Sequence, residues 1–98
     1  MRLGTVIGKV TLSQQDPSLK GGRFLLVQPL TREQYMGTSA SPLAKGNTVV
    51  IYDALGAGEG HIVGFVEGAE ATSPFDQPTP IDAYDAAIVD RIFYTPPA

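Results

Sequence analysis

The residues able to do chemistry are few in this chain. His61 is its only histidine, and imidazole is the side chain best suited to act as a base near neutral pH. A metal site would need several His, Cys or carboxylate ligands at a suitable spacing. The carboxylates nearest in sequence, Glu59 and Glu67, complete no such pattern with it, so His61 reads as a surface or interface residue. Asp82, Asp85 and Asp90 could supply paired carboxyls, but glycoside chemistry asks for two of them facing one sugar across about 5–9 Å. Turn-forming or interface salt-bridge roles suit the three aspartates better. Ser13, Ser18, Ser39, Ser41 and Ser73 lie in polar loop sequence outside any G-x-S-x-G elbow, and a hydrolytic triad would have to recruit His61. With no cysteine, thiol nucleophiles, thiolate ligands and disulfides are excluded. No catalytic residue, no metal and no cofactor are predicted.

The glycines pose a different question. Tyr52 to Glu70, "YDALGAGEGHIVGFVEGAE", holds Gly56, Gly58, Gly60, Gly64 and Gly68. A phosphate-cradling loop must open onto a helix N-terminus, and a P-loop adds a lysine and a hydroxyl. Here His61 stands where a dinucleotide fingerprint needs its third glycine, and Ile62, Val63, Phe65 and Val66 continue as a strand. The aromatic residues could form a base-stacking platform, but such platforms come with a basic groove. In the second half of the chain they sit among acids, which favours core or interface packing.

The elements that carry these residues read as short strands. Leu3–Leu12 is rich in β-branched residues and ends in the turn formers of "SQQDPSLKGG". Gly4 and Gly8 share a face with Val6, Val10 and Leu12, which predicts a bent strand approached closely by another backbone. Arg23–Leu30 is a second strand with Pro29 at its edge or end, Asn47–Leu55 a third, His61–Gly68 a fourth and Ala86–Tyr94 a fifth. Thr31–Ala44 has no clean period and reads as a loop, and Ala69–Thr72 could make one helical turn before Pro74. Five glycine-bent strands with almost no helical pattern predict an all-β chain, a small closed β-barrel.

The chain is 98 residues long, predicting one domain over 1–98. A domain this small buries only about two-thirds of its unfolded surface. Yet 43% of the residues are hydrophobic, which points to burial against other subunits. The N-terminus has no apolar signal-peptide core and no run is long enough to span a bilayer, so a soluble, unexported protein is expected. Net charge is -3, which argues against nucleic acid. The charge is divided: residues 1–50 carry six bases and two acids, and residues 51–98 carry Arg91 and eight acids. A head-to-tail contact between identical subunits would pair opposite signs, unless folding intermixes the two halves.

Three segments in order resemble the EutN/CcmL family of bacterial microcompartment vertex proteins. "MRLGTVIGKVTLSQQDPSLKGGRFLLVQPL" is similar to the family's opening Gly-x-Val-x-Gly-x-Val strand, Leu-x-Gly step and apolar strand ending near Gln-Pro-Leu. "YDALGAGEGHIVGFVEGAEA" resembles its Asp-x-x-Gly-Ala-Gly-x-Gly signature with the strand that follows. "PIDAYDAAIVD" resembles its Pro-Val-Asp-Ala segment and closing Ile-Val-Asp. The chain departs at His61, where many members are acidic, at Tyr84, Asp85 and Ala86, where apolar residues are usual, and at Ala87, where glycine is common. The resemblance implies an OB-like barrel in a cytoplasmic shell, a homopentamer closing the vertices of a polyhedral microcompartment whose facets are hexameric and trimeric shell proteins, and no catalysis. On that reading Gly56, Ala57 and Gly58 form a tight connection near the five-fold axis, with positive φ at its glycines. Asp82, Arg91 and the strand Ile88 to Tyr94 would then make subunit contacts. An OB-like binding module for an oligonucleotide or small ligand is the alternative, expected to be monomeric and to bind single strands in a salt-sensitive way.

Overall fold

Val6, Leu25, Val27, Ile51, Val63 and Phe65 are β-branched or large apolar residues spaced along four short segments, and all six are buried in one cluster. The pleat of a strand sends alternate side chains to opposite faces. Closing the sheet on itself gathers those inward faces into one core and removes the exposed edges. The computed structural model describes residues 1–15, 17–19, 22–36, 48–68, 81 and 83–94. Its strands are β1 (Arg2–Val10), β2 (Arg23–Pro29), β3 (Val49–Asp53), β4 (Ile62–Glu67) and β5 (Ala83–Val89), with a single helical turn, α1 (Arg32–Tyr35), after β2. They close in the order β1-β2-β3-β5-β4, with β4 pairing back onto β1. This is an all-β barrel of the five-stranded, OB-like kind.

Four of the five seams are antiparallel. The fifth, between β3 and β5, is parallel, and among the described residues it is paired at Tyr52 with Tyr84. Evenly slanted parallel bonding is the weaker kind per residue, so among the described residues this seam is where the barrel is held least by its backbone.

Three expectations are corrected. The shared face from Gly4 to Leu12 breaks after Val6, because Ile7 is an extra residue between the pairs Val6–Val27 and Gly8–Leu26. A bulge of this kind reverses the faces beyond it. Gly8 and Val10 therefore pair with Leu26 and Phe24 on the face opposite Val6, and Leu12 lies exposed past the strand. The close backbone approach is real at Gly4, where a Cβ would come 2.3 Å from Val27 Cγ1 and 2.9 Å from the Gln28 carbonyl oxygen, but not at Gly8, whose nearest such neighbour is 3.9 Å away. The last strand begins at Ala83 and ends at Val89, not Ala86 to Tyr94. Within it Ala83 and Asp85 are buried and Ala86 is the extra residue of a second bulge, between Phe65–Asp85 and Gly64–Ala87. Part of the Thr31–Ala44 loop is helical: Thr31 caps α1, its Oγ1 accepting from Gln34 N at 3.2 Å while Gln34 Oε1 accepts from Thr31 N at 2.8 Å. The expected turn at 69–72 lies outside the described residues.

Candidate functional site

The connection from β3 to β4 is built around one carboxylate. Asp53 ends β3, is almost fully buried, and accepts three backbone N–H groups of the chain that follows it: Leu55 N on Oδ1 at 3.1 Å, and Gly56 N at 3.0 Å and Ala57 N at 3.1 Å on Oδ2. An aspartate that bonds the backbone two to four residues on folds that backbone into a turn. Gly56 completes the turn at φ +90, a conformation that costs a side-chain-bearing residue about 1–2 kcal/mol. Arg23 on β2 closes the arrangement from outside, donating to Ala57 O at 2.7 Å and to Asp53 Oδ2 at 3.3 Å.

A second carboxyl lies beside the first. In the parallel register Tyr52 faces Tyr84, so the next residues, Asp53 and Asp85, share the opposite face. The tyrosine rings stack at 6.1 Å on their side of the seam, with Phe24 edge-on to Tyr52 at 5.6 Å. Asp85 is fully buried. Its Oδ1 accepts from Ala87 N at 3.2 Å across the bulge, and its Oδ2 is a buried oxygen that no donor reaches. Burial, followed by the hydrogen bond and the charge shared with Asp53, pushes Asp85 up to about 7. Burial would push Asp53 up too, but the hydrogen bonds from Asp85, from the Leu55 and Gly56 N–H groups and from Arg23 outweigh it and hold Asp53 below the usual carboxylate value. Of the two carboxyls, Asp85 is therefore the one that takes up a proton more readily. Asp85 was expected in a turn or an interface salt bridge and is found in neither. Asp53, which organises the turn, was not singled out, although an aspartate ahead of a glycine-rich turn is a recognised signal.

Of the residues expected at subunit contacts, Ile88, Arg91 and Tyr94 border one pair of adjoining grooves. Positive φ occurs at Gly56 but not at Gly58; the next glycine with it is Gly60, at φ +87. Gly58 N donates to Nδ1 of the exposed His61 at 2.9 Å, and His61 N donates to Gly58 O at 3.1 Å. Ala57 is wholly buried in the barrel's own core, so its side chain offers nothing to a neighbour. Past this turn β4 starts at Ile62, paired with Val89. A groove of about 480 Å³ bordered by His61, Ile88 and Asp90 adjoins a second of about 240 Å³ that includes Arg91 and Tyr94, the two sharing Ile62, Val89 and Asp90. A third, of about 460 Å³, lies between α1 and Ile92 to Tyr94. Ile88 and Tyr94 are each about 40% exposed and Phe93 is 87% exposed. Arg91 is exposed and makes no ion pair among the described residues. Asp82 lies outside the described residues. Two ion pairs among the described residues, Arg2–Glu67 and Arg23–Asp53, both join the basic half of the chain to the acidic half within one barrel. To that extent folding intermixes the charges.

This geometry holds no clustered metal ligands among the described residues, and its buried carboxyls face protein, not a cleft. Several known proteins that this chain is similar to are named as shell components. The family model described as ethanolamine utilisation protein EutN/carboxysome matches residues 1–90. The bacterial microcompartment shell vertex protein GrpN of Rhodospirillum rubrum is 36% identical over 93 residues, covering 94% of this chain and 96% of that protein. The shell vertex protein PduN of Salmonella typhimurium is 36% identical over 89 residues, 91% of each. Among solved structures, the pentameric GrpN shell protein superposes with a TM-score of 0.77 at 34% identity, over 97% of this chain and all of the other.

Proposed function

The chain belongs to the EutN/CcmL family, and from that premise we propose that five copies form a ring whose only task is geometric, closing the vertex of a bacterial microcompartment shell. It is a shell vertex protein, located in the shell within the cytoplasm. A flat sheet of hexagonal tiles closes into a polyhedron only where five-fold units interrupt it. A wedge-shaped pentamer supplies that unit, and hexameric and trimeric facet proteins would meet its rim.

The observation that carries the ring is the flank from Gly58 through Ile88 to Tyr94, with apolar side chains left uncovered at the end of a barrel too small to need them on its surface. Closed rings arise from heterologous contacts, in which one patch meets a different patch of the next copy. Arg91, unpaired within the described barrel, is the donor we assign to a carboxylate of the neighbouring subunit. A non-catalytic role is supported by what these side chains do: the histidine is tied to its own turn through Gly58, and Asp53 holds the turn that follows β3. An oligonucleotide-binding reading gains no support, because Tyr52 is buried between Phe24 and Tyr84 instead of presenting a ring to a base.

Co-expression with a hexameric facet protein tests the vertex role. Closed polyhedral shells in electron micrographs when the chain is present, and open sheets or tubes when it is omitted, are expected. Closed shells in both cases would overturn it.

A further inference from the structure

We propose that Asp85 and Asp53 form a proton-operated latch at the parallel β3–β5 seam. When protonated, Asp85 donates to Asp53 and holds both the seam and the 54–57 turn closed; when ionised, it faces Asp53 as a second buried carboxylate and frees the turn.

The geometry comes first. Among the described residues the seam is paired at Tyr52 with Tyr84, and the residue after each is a buried aspartate. Asp53 accepts Leu55 N on Oδ1 and Gly56 N, Ala57 N and Arg23 on Oδ2, which leaves Oδ1 able to accept one more donor. Asp85 Oδ1 accepts from Ala87 N, while Oδ2 has no donor and no water-facing surface. A buried oxygen without a partner is unfavourable, and a proton on Oδ2 turns that orphan into a donor toward Asp53. Two like charges in one buried site cannot both be held without opening it.

The groups around the pair set no second balance. From β2, Arg23 reaches Asp53 Oδ2 and Ala57 O. From β3 and β5, Tyr52 and Tyr84 lie on the opposite face. From β4, Phe65 and Gly64 are uncharged, and Glu67 is exposed and paired with Arg2 of β1. Among the described residues Arg23 is the one cation bonded to the pair, and one cation offsets one carboxylate.

The latch is a property of a single barrel. Only its consequence, loosening of a loop proposed to border the ring, rests on the proposed assembly. Amide hydrogen exchange of Leu55, Gly56 and Ala57, corrected for intrinsic base catalysis, tests it from about pH 5 to about pH 9 in the wild type and in Asp85→Asn, whose amide is a donor at every pH. Protection in the wild type is expected to fall about tenfold per pH unit up to about pH 7 and then level off, as loss of one proton on opening requires. Asp85→Asn is expected to be flat. Identical profiles in the two proteins, or an equal fall at Val27 and Ile51 in the core, would overturn the latch. Should the variant not fold, the infrared band of a protonated carboxyl in the wild type decides: present at about pH 5 and lost by about pH 9 supports it, absent at about pH 5 ends it. Native mass on the same samples reports the ring separately, so a monomer that still shows the pH-dependent protection keeps the latch and removes the ring.

Discussion

Tyr52 and Tyr84 are paired across the parallel seam of the barrel, and their rings stack at 6.1 Å with planes 23° apart. Parallel pairing is the weaker kind per residue, and this ring contact adds side-chain packing to the seam. Burial of Tyr52 followed by the nearby Tyr84 phenol also raises the Tyr52 phenol above its ordinary value, against a hydrogen bond with the Gly22 backbone that lowers it. Gly22 admits this ring because a Cβ there would fall 2.0 Å from Tyr52 Cζ. Tyr52→Ala is expected to destabilise the barrel by about 3–5 kcal/mol, and Tyr84→Ala by about 1 kcal/mol through the lost stack. Denaturant unfolding at one fixed protomer concentration measures both, since assembly makes stability concentration-dependent.

Gly4 and Gly8 look equivalent in the sequence and are not. Gly4→Ala places a methyl against Val27 Cγ1 and a backbone carbonyl, which costs about 1–3 kcal/mol as overpacking does. Gly8→Ala meets only ordinary contact distance, is expected within about 1 kcal/mol of the wild type, and gains if anything from a stiffer unfolded chain. Thermal unfolding of the two variants side by side checks the contrast.

The acid limb of stability belongs to Asp53. Its carboxyl is held below the usual value in the folded chain, so the unfolded chain binds the proton more readily. The stabilisation is complete above about pH 4 and is lost as pH falls through the lower folded value. Asp53→Ala strands three N–H groups and is expected to cost about 3 kcal/mol or more near neutral pH. It should also remove most of the acid-induced loss, which a melting series below about pH 5 would reveal.

Much of this was legible in the residues. Leu25, Val27, Ile51, Val63 and Phe65 mark three strands through β-branched and aromatic runs. Pro29 marks the end of β2, as a residue without an N–H must. The opening of β5 was hidden because Asp85 sits at a buried position: a charged residue in an inward slot erases the alternation that identifies a strand. Its proton is what makes the slot tolerable. The helical turn announced itself as Thr31-x-x-Gln34, a capping box that is easily read as loop when only four residues follow the cap. Ile7 carried no signal, since a bulge depends on the partner strand and not on its own residue type.

Gly56 and Gly58 separate fold from assembly. Gly56→Ala is expected to cost about 1–2 kcal/mol in the barrel itself because of its positive φ. Gly58 has no positive φ and nothing within 4 Å of a built Cβ, so Gly58→Asp should leave the fold's melting unchanged. A shift of Gly58→Asp away from the ring would place this turn at the subunit contact. An unchanged ring in both Gly58→Asp and Gly56→Val would place it elsewhere.

The central claim is the ring, and native mass spectrometry of the wild-type protein at physiological salt tests it most directly. The account predicts a dominant species at five times the 10.4 kDa protomer. A monomer or dimer that persists at high concentration would contradict it.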